Sequence, residues 1–194
     1  MAQFVSFNPD TEVEGGTVLA FLNSMKRGQE TRQAILAKHN IIAQEGQWYS
    51  QQAWLDAFKE VADTLGEMNL FLIGVAIIEN AKMPPMRGLE DAIRMIDIAY
   101  HMNHRLNGEI MFNPNTGAML EGIGHYSVVS FDEKSRQAVM NCNNPYPSKF
   151  DEGIISEFVR RFKPADSSKH EVKLDITKER RAQGADSCTY LISW

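Results

Sequence analysis

Metal and haem chemistry start from histidine and cysteine, and this chain of 194 residues has five of the first and two of the second. Zinc needs about four converging nitrogen, sulfur or oxygen ligands, usually with a local pair among them. No CxxC, HxxxH or HExxH occurs. Cys142 ends one alternating apolar segment and Cys188 opens another, so their side chains can meet across a sheet. A metal set would still need two further ligands, for which His125 and His170 are the nearest options. Free cysteine is among the most buried residue types, and the core reading is preferred for both. A thiolate nucleophile inside a strand has neither exposure nor a local histidine to activate it. GxSxG is absent as well. Histidine is densest in "HMNHR" (101–105). One reading is haem or metal ligation; the other is a solvated helix end, where cations favour the C-terminal dipole. At 100° per residue His101 falls on the polar side with Glu90, Arg94 and Asp97, which favours solvent for it. His104 lies at the edge of the apolar arc and is the candidate haem ligand. Phosphate cradles are missing: Gly15-Gly16 has no following GK[ST], and "GIGH" (122–125) is too short. The basic "KERR" (178–181) reads as a solvated turn.

The whole chain narrows the classes further. Apolar residues make up 43% and charged residues 23%, which places it among globular and not disordered chains. A net charge of −5 gives no general reason to bind nucleic acid or anionic membranes. The start lacks the basic and apolar stretches of a signal peptide. The longest apolar run, Leu70–Ile78, is far below the ~20 residues needed to cross a bilayer. Two cysteines make no disulfide framework. The expectation is a soluble cytoplasmic protein with no membrane span.

The elements that must position these residues divide into a helical half and a strand-rich half. Helices are predicted over about Thr17–Lys26, Glu30–His39, Ser50–Leu65, Glu67–Ala81 and Leu89–His104. Ser50 is placed as an N-cap and Gly66 as a C-terminal stop. Trp54, Phe58, Val61 and Leu65 share one helix face. The next helix is apolar on all sides from Leu70 to Ile78 and is expected to be surrounded by protein. Gly74 inside it suggests a closely packed neighbour. Pro84-Pro85 end that segment. Then "EIMF" and "AMLE" suggest a first hairpin, and "HYSVVSF" and "RQAVMNC" a second. A helix over about Phe150–Phe162 follows. "EVKLDIT" should turn Val172, Leu174 and Ile176 to one face, and "CTYLISW" Cys188, Tyr190, Ile192 and Trp194. The fold class is α+β: a helical N-terminal half packed on a C-terminal antiparallel sheet of four or five strands with one inserted helix.

This order, with "WYSQQAWLDAFKEVADTLGE", "IGVAIIEN", "NPYPSKFDEGII" and the closing "GADSCTYLISW", resembles the 4-vinyl reductase-type domain. That family shares its fold with haem-based gas sensors (H-NOX) and with TRAPP transport subunits. The resemblance covers residues 15–194 as one ligand-binding domain and leaves 1–14 as an N-terminal extension. It implies a domain, often dimeric, that holds a small hydrophobic or tetrapyrrole-like molecule between helices and sheet. Family members often carry a structural zinc, whose positions map to Ser148, Thr177, Arg180 and Cys188. Only Cys188 is a zinc ligand type, so zinc is not expected. H-NOX domains hold haem propionates with a Tyr-x-Ser-x-Arg motif; here Tyr126 is followed by Val128 and Ser130, with no arginine.

The expected function is non-catalytic binding of a small apolar molecule, as sensor or carrier, with the signal passed to a separate protein partner. A homodimer is the family expectation. The ten methionines make an adaptable apolar pocket reasonable. Its expected lining is Trp54, Phe71, Val75, Ile78, Ile96, Tyr100, Met111 and Met140, with Tyr100 orienting a polar end. The alternatives are a haem gas sensor, an enzyme of (bacterio)chlorophyll vinyl reduction, and an assembly protein without ligand.

Overall fold

The computed structural model describes residues 3–23, 28–81 and 83–194. In chain order these form β1 (Thr11–Glu14), α1 (Gly15–Asn23), α2 (Gln29–Lys38), β2 (Trp48–Ser50), α3 (Gln51–Leu65), α4 (Glu67–Asn80) and α5 (Leu89–Met102). There follow β3 (His104–Leu106), β4 (Glu109–Ile110), β5 (Tyr126–Asp132), β6 (Gln137–Cys142), α6 (Ser148–Phe162), β7 (Glu171–Leu174), a 3-10 turn at Arg181–Gln183 and β8 (Cys188–Ser193). The last part of the first predicted helix, residues 24–26, lies outside the described residues.

The helical half forms for the reasons its sequence states. The Ser50 hydroxyl accepts from the Ala53 N–H at 3.4 Å, and Gly66 takes φ 87° where the chain leaves α3. Trp54, Phe58 and Val61 are fully buried on one face of α3, and Phe21 joins their edge-to-face ring cluster. Helix α4 crosses α6 at a pair of glycines. A Cβ on Gly74 would strike the Phe150 carbonyl oxygen, and one on Gly153 would strike the Phe71 carbonyl oxygen. Backbone touches backbone there, so a residue with low helix propensity is retained for packing.

The main sheet has the order β5-β6-β8-β7, antiparallel throughout. Cys142 pairs with Cys188, Met140 with Tyr190 and Ala138 with Ile192, and all six are buried beneath the helices. The strand period thus turns both cysteines into the core as free thiols. Val129 and Leu191 lie on the opposite face and are exposed. A second sheet, order β2-β1-β3-β4, closes the other end of the helices. Residues 11–14, grouped with the N-terminal extension in the sequence reading, are β1, a central strand of this sheet.

Several expectations are corrected. The first hairpin shrinks to a single bridge, Phe112 to Met119, because Glu109–Ile110 pairs instead with His104–Leu106. Helix α5 ends at Met102, and His104 opens β3. Strand β7 stops at Leu174, and Ile176 is 72% exposed, because Asp175 turns the chain by accepting from the Thr177 N–H and hydroxyl. Helix α4 is not covered all round: Leu72 is 40% exposed, one turn from exposed Met68. His101, expected in solvent, is fully buried, since the 121–125 segment and β5 cover that side of α5. Within "KERR", Arg181 is buried, because Asp151 inside the fold supplies its counter-charge.

Candidate functional site

Helices α4 and α5 both pack on α6, and β5 packs on α5. Between them lies a cleft of about 80 Å³. Its apolar lining comes from Ile77 and Ile78 of α4, Ile96 and Ala99 of α5, and Phe150, Ile154 and Phe158 of α6. Tyr100, His104, Tyr126 and Tyr146 form the inner end, and Thr17 and Asn103 stand at one side.

The polar groups on this lining are turned away or already paired. The Tyr100 hydroxyl donates to the Ile123 carbonyl at 2.7 Å. His104 Nδ1 lies 2.7 Å from the Tyr100 carbonyl, and its Nε2 lies 2.8 Å from the Tyr146 hydroxyl. A carbonyl only accepts, so the imidazole proton sits on Nδ1 and Nε2 accepts from Tyr146. Burial pushes the His104 pKa down to about 4, which keeps the ring neutral. Burial also raises Tyr100 and Tyr146 above the usual phenol range, so both stay protonated. Asn103 closes on its own helix, donating to the Ala99 carbonyl at 2.7 Å and accepting from Thr17 at 3.3 Å. What remains facing the cleft is almost wholly carbon.

Of the eight residues expected around a pocket, three line the cleft: Ile78, Ile96 and Tyr100. Met111 and Met140 are fully buried elsewhere in the core, and Phe71 and Val75 are half-buried on α4 outside the lining. Trp54 is fully buried outside the lining, edge-to-face with Phe21 and Phe58. Trp54 Nε1 and Gln51 Nε2 are buried donors without a satisfactory hydrogen bond among the described residues. Tyr146, Phe150, Ile154 and Phe158 were not expected as lining. Their signal was available: the period of α6 and the "NPYPS" turn send them inward together.

Below the cleft a second polar group holds α6 to the sheet. Arg181 donates to Asp151, to Asn144 and, from Nε, to the Cys188 sulfur at 3.4 Å. The Tyr126 hydroxyl donates to Asp151 at 2.6 Å. Burial raises the Asp151 pKa, and Arg181, Tyr126 and Asn144 work against that rise. Burial is the largest influence on Arg181 and opposes its charge, yet the Asp151 carboxylate, together with Tyr190, Cys188 and Cys142 beside it, raises its pKa overall. Of the four positions mapped to a zinc set, Ser148 and Cys188 meet, with Oγ 3.1 Å from Sγ. Thr177 and Arg180 stay in the turn, bonded to Asp175 and Gln183. The cation that reaches Cys188 is therefore the Arg181 guanidinium, one residue along from the mapped position.

Among the described residues no helix is long and apolar enough to cross a membrane. Neither a scan of family models nor a search of curated proteins found a match to this chain. Solved structures do match in fold. One, described as probing the function of haem distortion in the H-NOX family, is 13% identical with a TM-score of 0.61, covering 93% of this chain and 94% of that one. Another, on modulating haem redox potential through protein-induced porphyrin distortion, is 12% identical with a TM-score of 0.59, covering 93% and 99%. A third, an oxygen-binding H-NOX domain related to soluble guanylate cyclases, is 11% identical with a TM-score of 0.58, covering 92% of each. The chain is thus an α+β protein with the H-NOX fold.

Proposed function

We propose that this protein binds a small apolar molecule without catalysis, in the cleft between α4, α5, α6 and β5, and passes its occupancy to a separate partner. The observation that carries this reading is the cleft lining: carbon surface at the junction of helices and sheet, with its phenol hydroxyls and imidazole already hydrogen-bonded within the protein. Such a surface gains from burying apolar atoms and offers no free polar group to a polar guest. Its size selects for few heavy atoms. An apolar cavity of roughly 150 Å³ accepts benzene or xenon, and this one is about 80 Å³. The likeness to H-NOX structures supports a ligand-holding role by analogy of fold.

Haem, which neighbouring structures are described as holding, does not fit these residues. The cleft is well below the ~300 Å³ at which cofactor pockets begin. Both nitrogens of His104 are engaged, so iron would have to displace the Tyr146 hydroxyl. Tyr126, which opens the propionate motif in H-NOX domains, spends its hydroxyl on Asp151. The resemblance to 4-vinyl reductase-type domains, which no family model supports, rests on "NPYPSKFDEGII" and the closing strand. It favours the same class of oily guest.

An assembly role without ligand is the second reading. It is favoured by the small volume of the cleft together with exposed apolar side chains on α4 (Met68, Leu72) and on the outer sheet face (Val129, Leu191). A homodimer through one of these faces belongs to that reading.

Thermal melts with a graded series of guests test the proposal. A guest at 100 times its Kd stabilises by about 2.7 kcal/mol, which raises the Tm of a chain this long by roughly 5–10 °C. Xenon should raise the Tm most, benzene less, and naphthalene and haem not at all. No shift with any guest overturns the ligand reading and favours assembly. A strong violet haem band at one haem per chain overturns it in favour of a haem protein.

A further inference from the structure

Outside the cleft, one cluster of side chains has no role in the account so far. Asp97 and His101 lie four residues apart on α5, and His125 faces them from the segment entering β5. Each offers a ligand atom, and these atoms lie within 4.8 Å of one another. His125 Nδ1 is 3.0 Å from Asp97 Oδ2, and its Nε2 is 3.1 Å from Glu121 Oε2. The His101 and His125 rings stack with centroids 4.8 Å apart. Asp97 Oδ1 accepts from the Tyr126 N–H at 2.9 Å, which fixes the carboxylate against the sheet.

His101 is the residue that ordinary packing does not explain. It is fully buried, and its Nδ1 lies 2.8 Å from the Asp97 carbonyl. A carbonyl only accepts, so the proton is on Nδ1 and the lone pair is on Nε2. That Nε2 is buried with no hydrogen-bond partner among the described residues. A neutral histidine whose Nδ1–H is held by a backbone carbonyl, with a bare Nε2, is the form in which imidazole binds metals.

We propose that Asp97, His101 and His125, with Glu121 at the rim, bind one first-row divalent transition ion such as zinc. Two imidazoles and one or two carboxylates are a borderline donor set that suits such ions over calcium or magnesium. Ligands about 2.0–2.1 Å from zinc in tetrahedral array lie roughly 3.4 Å apart, so the side chains draw in on the ion and His101 turns its Nε2 to it, the nitrogen now beside Asp97 Oδ1 being Nδ1 at 3.5 Å. The ion replaces the proton on His125 and clasps the segment that enters β5 onto α5. Its site is separate from the cleft, and touches it through the Tyr100 ring beside His101 and through Tyr126, whose N–H bonds Asp97.

The test uses the full chain without a histidine tag, stripped with chelator and titrated with Co²⁺ alone. The expected result is one Co²⁺ per chain, weak visible d–d bands with no sulfur charge-transfer band, and displacement by Zn²⁺. His125→Gln, at a half-buried position, should weaken binding by more than the ~10–100-fold typical of outer-shell changes. His101→Gln should do the same; the His125 variant carries the test if the buried one fails to fold. Absence of stoichiometric binding, unchanged affinity in His125→Gln, or a cysteine charge-transfer band overturns the proposal.

Discussion

Replacing Arg181 by Met tests how α6 is held to the sheet. Arg181 is 1% exposed and Asp151 is fully buried. The substitution keeps most of the side-chain volume but leaves the carboxylate with only the Tyr126 hydroxyl and the Asn144 amide as donors. It also strips a donor from the Asn144 carbonyl and side-chain oxygens. Breaking one side of a buried pair costs about 3–5 kcal/mol. Against a total stability of about 5–15 kcal/mol, the variant still folds but with a clearly lower urea midpoint. The double variant Arg181→Met, Asp151→Leu removes both charges and should recover most of that loss, since buried pairs replaced by apolar groups are often neutral. The pH dependence has a definite sign. Without Arg181, burial lifts the folded pKa of Asp151 further above the unfolded value of about 3.9. A carboxyl raised in the folded state contributes most below the unfolded pKa and loses that contribution as pH rises through the folded pKa. The cost of Arg181→Met should therefore be smaller near pH 4 than at pH 7. Urea melts at the two pH values read both effects. A cost under 1 kcal/mol, or a double variant as weak as the single, refutes the reasoning.

Two further outcomes follow from the same packing. The His104 pKa is about 4 in the fold against 6.5 free, so the unfolded chain binds the extra proton between those values. Stability is full above pH 6.5 and falls as pH drops toward 4, by about 3 kcal/mol in all, and His104→Gln should remove that part of the slope in urea midpoints taken across the range. Gly74→Ala forces a methyl onto the Phe150 carbonyl of α6, a backbone atom that cannot swing aside. The expected cost, about 2–3 kcal/mol by urea melts, contrasts with the gain that Gly→Ala brings in an uncrowded helix.

Legibility followed the length of each periodic pattern. Helices α3 to α6 and strands β5, β6 and β8 have runs long enough to show their period, and each stands close to its expected bounds. The second sheet did not show itself, because strands of two to four residues such as β2, β3 and β4 carry no measurable alternation. His101 illustrates a different limit. A helical wheel placed it with Glu90, Arg94 and Asp97, but whether that face meets water depends on what the chain later lays over it, and here the 121–125 segment does so. Arg181 escaped for a related reason: a charged run reads as solvated until its counter-charge is located, and Asp151 lies thirty residues away. The cleft was legible in its α4 and α5 sides and missed on α6. Methionine content drew attention to Met111 and Met140, which are fully buried in the core outside the cleft lining.

The measurement nearest the central claim is the methyl NMR spectrum of isoleucine-labelled protein under xenon pressure. Ile77, Ile78, Ile96 and Ile154 line the cleft, whereas Ile35, Ile41 and Ile73 are buried away from it. The account predicts saturable shifts confined to the first group, abolished in Ala99→Leu, which fills the space. Shifts spread evenly over both groups, or none at all, would contradict it.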